Sequence, residues 1–223
     1  MTKSNVAEGL FERYLCENGY TFHPIPRDPG KKTADYRVDT PRGGVYCEVK
    51  SMVWTEEDDR LAGTGAWMGQ PGEKTFRKRL HMGAEKSARY AGHPYMVVFH
   101  AAVLRVLLGG FYTAVASLDV LKLHHDVSAV AILEEYDPHR PLVRQLVDVR
   151  HASTKELLDA HIRVAAEHPE LRSSLLRLDV VENPAAHTPL PRDVFRGMYD
   201  KRSAWTEGGD GLLHFEQVFG PSD

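Results

Sequence analysis

Between Thr33 and Ser51 the chain reads TADYRVDTPRGGVYCEVKS. Residues 34–39 and 44–50 alternate strand-forming with polar side chains, and Thr40-Pro41-Arg42-Gly43 between them carries the Pro and Gly of a turn. The pattern predicts a β-hairpin. Alternation along the second strand puts Glu48 and Lys50 on one face, roughly 7 Å apart, and Cys47 and Val49 on the other. With Asp39 opposite Gly44, Asp35 falls opposite Glu48, the two Cβ atoms about 5 Å apart. Carboxylates directly across a sheet repel unless a proton or a cation lies between them. A hard divalent ion is the natural occupant, because Mg²⁺ is commonly held by one or two carboxylates while phosphate oxygens supply further ligands. Lys50 beside that ion would face an anionic substrate. Phosphodiester hydrolysis needs these parts: a metal to polarise the phosphoryl group and activate water, and a cation to offset charge in the transition state.

Upstream, Val6, Leu10 and Tyr14, with Phe11 and Leu15 beside them, repeat at the period of an amphipathic helix, which Asn18-Gly19 closes with Gly19 as the C-terminal cap. Residues 20–23 read as a short strand before a polar loop, RDPGKKT. Downstream, residues 54–73 combine four glycines with the acidic cluster 56–59 and read as a long functional loop, unless Trp54 and Trp67 pin it to the body. A second helix is expected over residues 75–91, stopped by Gly92 and Pro94, and it leads into the apolar strand 95–100. Strand, helix, strand in this order implies a parallel crossover. The apolar stretch 101–123 resists division. Residues 129–133 read as a buried strand, 154–168 as a helix with Ser153 and Glu156 at capping-box spacing, and 176–181 as another strand. The expected fold is therefore α/β (α+β), one domain over residues 1–182, with a Pro- and Gly-rich C-terminal extension, 183–223, packed on it.

The stretch around Asp35, Glu48 and Lys50 resembles the PD-(D/E)xK nucleases, the restriction-endonuclease-like superfamily. The resemblance runs over residues 5–100 in the order helix, three strands, helix, strand. Asp35 takes the place of the first acid, and Glu48-Val49-Lys50, the one acid-x-Lys triplet in the chain, takes that of the second motif. Ala34 stands where the family name has a proline. The resemblance implies a central mixed β-sheet flanked by helices and a metal-dependent nuclease; the expected activity is a DNA endonuclease, with an RNA-cleaving nuclease as the alternative, because such a metal site reads the phosphate and not the sugar. Asp35, Glu48 and the backbone carbonyl of Val49 would hold Mg²⁺, for which Mn²⁺ substitutes, and Lys50 would act on the attacking water. Glu8 lies before Gly19 at a spacing similar to that of the helix glutamate in archaeal Holliday junction resolvases of this superfamily. It would support a second ion or the water network, with Glu12 one turn later as its substitute. The competing reading makes Glu8 the capping-box partner of Asn5. Family members serve in restriction and phage defence, repair and junction resolution, and as toxins.

The second helix carries Lys74, Arg77, Lys78, Arg79, Lys86 and Arg89 against the single acid Glu85. Such a face can track phosphates. Arg77, Lys78, His81, Lys86 and Arg89 are the candidate nucleic-acid contacts, and the family often places a polar residue of this helix near the active site, here Lys86 or His81. Local charge matters because the 223-residue chain has a net charge of −3. That acidity favours a rival reading, a binding or assembly subunit whose nuclease-like site is inactive or needs a partner protein. The adjacent His124 and His125 point in different directions and find no third ligand at metal-binding spacing. His100, within an apolar strand, reads as a buried histidine. Two cysteines, Cys16 and Cys47, fit a reducing compartment, and the N-terminal residues show no signal-peptide pattern, so the expected location is cytoplasmic. No apolar run approaches a membrane span. Cutting both strands of a duplex calls for two sites, which a homodimer or a partner protein would supply.

Overall fold

The computed structural model describes residues 4–28, 30–52, 73–100, 117–136, 139–148, 154–169, 175–197, 200–207 and 213–219. Helix α1 (Ser4–Glu17) buries Ala7, Phe11, Tyr14 and Leu15, the stripe its periodicity predicts. It closes as expected at Gly19, whose φ of 71° lets Tyr20 N–H reach the Leu15 carbonyl (2.9 Å) and Gly19 N–H the Cys16 carbonyl (3.1 Å).

The chain then builds one eight-stranded sheet whose strands lie in chain order. Strands β1 (Phe22–Pro24), β2 (Tyr36–Thr40) and β3 (Gly43–Ser51) pair antiparallel. The β2–β3 turn closes at Gly43, where φ is 117°, and Thr40 Oγ1 donates to the Gly43 carbonyl at 2.7 Å. Helix α2 (Glu73–Ala84) precedes β4 (Tyr95–His100), which runs parallel to β3 as the crossover requires. Strand β5 (Ala129–Tyr136) is parallel to β4, and β6 (Leu175–Glu182) returns antiparallel after helices α3 (Arg140–Leu146) and α4 (Thr154–Glu167).

Alternation divides the interior into two layers. Val45, Cys47 and Val49 of β3, Met96 and Val98 of β4, and Ala129, Ala131 and Leu133 of β5 pack toward α1. Val97, Phe99, Val130 and Ile132 point the other way, against Phe76, Leu80 and Ala84 of α2. Helices therefore cover both faces of a mixed sheet. None of the described helices is long and apolar enough to cross a membrane.

Three expectations change. The helix expected over 75–91 ends at Ala84, because the last carbonyls find other donors: Tyr95 Oη at Gly83 (3.0 Å) and Ser87 Oγ at Ala84 (2.7 Å). A short 3₁₀ turn (Ser87–Tyr90) follows, leaving Lys86 in the connection. The C-terminal segment supplies two strands, β7 (Lys201–Glu207), parallel to β6, and β8 (Leu213–Phe219), antiparallel to β7. Finally, Asn5 lies inside α1 and not just before its first turn, so Glu8 is not at the capping-box position relative to it. The long loop with Trp54 and Trp67, Ser153 of the α4 capping box, and residues 101–116 of the undivided stretch lie outside the described residues.

Candidate active site

Asp39 lies opposite Gly44 and Tyr36 opposite Cys47, which is the expected hairpin register. The ladder stops one residue short of Asp35. There the Asp35 amide donates to the Cys47 carbonyl (3.0 Å), and the Asp35 carboxylate turns to accept the Val49 N–H at Oδ2 (2.8 Å). Asp35 is thus fixed to β3 through the backbone, as a side-chain cap on the strand instead of a cross-strand partner of Glu48.

Glu48 and Lys50 share the α2 face of β3, as alternation requires, and Lys50 Nζ donates to Glu48 Oε1. Lys86 Nζ reaches the same oxygen at 2.6 Å. Gly83 makes this approach feasible: a Cβ there would lie 3.0 Å from Val97 Cγ1 and 3.6 Å from Glu48 Cγ, so the helix rests directly on β3 and β4. The Glu48 side chain is only 1% exposed, whereas those of Lys50 and Lys86 are 23% and 20% exposed. Oε2 of Glu48 is buried and has no hydrogen-bond partner among the described residues. Burial raises the Glu48 carboxyl above the ordinary glutamate range, and the charge of Asp35 adds to that effect, while Lys50 and Lys86 oppose it.

These groups open onto a cavity of about 650 Å³ that also gathers Glu8, Arg27, Lys31, Lys32, Val49 and Arg79. Six basic side chains line it against the three acidic ones Glu8, Asp35 and Glu48, although the whole chain is acidic. Glu8 accepts from Arg27 Nη2 at 2.6 Å, and that nitrogen lies 3.6 Å from Asp35 Oδ1. Lys32 pairs with Glu85 (2.7 Å), Lys31 with Asp28, and Arg79 donates to the Ser51 carbonyl.

Of the residues expected from sequence, Asp35, Glu48, Val49, Lys50, Glu8 and Lys86 converge here. Arg77, Lys78, His81 and Arg89 are not among the lining residues; Arg77 pairs with Asp119 (3.3 Å). His81 Nδ1 meets His124 Nε2 at 2.9 Å. Glu12 is not among the lining residues either and accepts the Tyr36 hydroxyl at 2.8 Å. Sequence reasoning missed Arg27, Lys31, Lys32 and Arg79. The signal for the first three was the charge of RDPGKKT immediately before Asp35. His100 is half-buried, and desolvation lowers its pKa, partly offset by Glu135.

Among the described residues no three His, Cys, Asp or Glu side chains converge in metal-ligating geometry. The pair Asp35 and Glu48 fits one hard cation: both line the cavity with oxygen donors, the charge of Asp35 raises the Glu48 carboxyl, and Oε2 of Glu48 is buried with no hydrogen-bond partner among the described residues. Comparison with family models, with curated proteins and with solved structures gives no match.

Proposed function

We propose that the protein is a cytoplasmic, metal-dependent nuclease of the PD-(D/E)xK type that hydrolyses phosphodiester bonds, acting as a DNA endonuclease. The observation that carries the reading is the buried, unpartnered Oε2 of Glu48 beside Asp35, with Lys50 on the same strand face. Asp35, Glu48 and the Val49 carbonyl would hold Mg²⁺ or Mn²⁺. When bound, the ion polarises the scissile phosphate and makes a water a competent nucleophile at neutral pH.

The protein's own groups do the rest. Asp35, tied by its carboxylate to the Val49 amide, cannot swing away from β3. Glu48 is held by Lys50 and Lys86 at Oε1, which orients its second oxygen. Lys50, still partly exposed, positions the attacking water and offsets charge on the phosphate oxygens. The surplus of basic side chains around the cavity draws in a polyanion that the net charge of the chain would repel.

The test is cleavage of supercoiled plasmid, single-stranded DNA and RNA with Mg²⁺, Mn²⁺ or EDTA. Wild-type protein should cut DNA only with metal, and Asp35→Ala and Lys50→Ala should each lower the rate by about 10²-fold or more. Normal activity in purified Lys50→Ala would remove the role given to that lysine. Metal-independent binding without cleavage would favour the inactive or partner-dependent member.

A further inference from the structure

We propose that the guanidinium of Arg27 is a built-in cation that takes the place of a second divalent ion between Glu8 and Asp35, so that the site binds one metal ion and not two. The inference rests on the metal-dependent reading above. Arg27 lies between β1 and β2, and the hydrogen bond from Ile25 N–H to the Asp35 carbonyl (2.9 Å) fixes the start of this segment beside the first acid. From there Nη2 of Arg27 donates to Glu8 Oε1 at 2.6 Å and stands 3.6 Å from Asp35 Oδ1. One charged nitrogen thus bridges a carboxylate from α1 and a carboxylate at the entry to β2.

Two carboxylates sharing one cationic centre are what a hard ion would require of this place. A guanidinium is not deprotonated in proteins, so neither pH nor chelator removes it. It also spends Oε1 of Glu8, whereas on Glu48 the unpartnered oxygen remains. The two halves of the cavity therefore differ: the Glu48 side is short of a cation and the Glu8 side already has one. Arg27 is 66% exposed, so its removal takes away the charge without opening the core.

Mn²⁺ binding to the full-length protein, counted by electron paramagnetic resonance and by calorimetry without nucleic acid, tests the proposal. One ion per chain is expected for wild type, two for Arg27→Gln and for Arg27→Ala, and one again for the double variant Arg27→Gln/Glu8→Gln. One ion in wild type and still one in both Arg27 variants would overturn the role of Arg27 while leaving the metal site standing. Two ions in wild type would overturn it as well. No Mn²⁺ bound by any of these proteins would overturn the metal-dependent reading together with this inference.

Discussion

Lys86 Nζ donates to Oε1 of Glu48 at 2.6 Å, joining the connection after α2 to the middle of β3 across 38 residues of chain. Lys50 shares that oxygen, so two partly exposed lysines hold one side of a buried carboxylate whose other oxygen has no partner among the described residues. This geometry and the charges around it have four measurable consequences.

The first concerns pH. Glu48 must be ionised to ligate a metal, and burial together with Asp35 holds its carboxyl above the ordinary range. If Asp35 and Glu48 hold a metal as proposed, the midpoint at which its affinity weakens as pH falls should lie higher than for a free glutamate. Lys86→Ala removes one of the two opposing charges and should move this midpoint further up. Mn²⁺ affinity measured from about pH 4 to about pH 9 in both proteins checks it, since the pH at which affinity begins to weaken reports ionisation of the metal-free carboxyl. An unchanged midpoint would mean that Lys86 does not act on Glu48.

The second concerns stability without metal. A carboxyl whose pKa is raised on folding contributes stability that is present below its unfolded value and lost as pH rises through its folded value. Glu48→Gln should then make the metal-free protein more stable at pH 7, read as a rise in Tm, because burial disfavours the charged carboxylate by more than Lys50 and Lys86 favour it. The gain should vanish in acid. Excess Mg²⁺ should raise the Tm of wild type and leave that of the variant unchanged. Thermal unfolding in EDTA and in Mg²⁺ reads both effects, and a variant less stable than wild type in EDTA would contradict them.

The third concerns the rim. Lys31 and Lys32 line the cavity, whereas Lys78 and Arg89 do not. Replacing both Lys31 and Lys32 by alanine should weaken DNA binding and reduce the slope of log K against log salt by about 0.9 per lost phosphate contact. Lys78→Ala/Arg89→Ala should change the slope by less. Fluorescence anisotropy over a salt series distinguishes the two pairs.

The fourth concerns the seat of α2. Gly83→Val would place side-chain atoms against Val97 and Glu48, at a point where even a Cβ lies 3.0 Å from Val97 Cγ1. The expected cost is about 1–3 kcal/mol, together with displacement of Lys86 from Glu48. Chemical denaturation measures the first and the cleavage rate the second. An unaltered denaturation midpoint would show that the helix has room to give.

The hairpin was legible because its side chains alternate cleanly and Pro41-Arg42-Gly43 admits few alternatives to a tight turn. The same alternation correctly put Glu48 and Lys50 on one face. It overextended at Asp35, since nothing in periodicity reveals that the carboxylate would leave the ladder to take the Val49 amide. Strands β7 and β8 were not legible. Lys201, Arg202 and Ser203 are buried in β7, and such residues read as solvent-facing. Burial of Arg202 is tolerable only because Glu182 and the carbonyls of Leu190 and Pro191 take up its donors, partners that come from elsewhere in the fold. The cations of residues 27–32 were visible as a charged loop, but their aim at the cavity depends on tertiary contacts, as with Lys32 and Glu85, 53 residues apart.

Asp35 and Glu48 are proposed to hold a divalent ion for phosphodiester cleavage. That role is tested by setting wild type beside Glu48→Gln, nearly the same in shape but unable to carry the charge, on supercoiled plasmid with Mg²⁺ and with EDTA. Nicking or linearisation by wild type in Mg²⁺ alone, and none by Glu48→Gln under either condition, is the predicted result. Equal cleavage by both proteins, or cleavage by wild type that persists in EDTA, would contradict it.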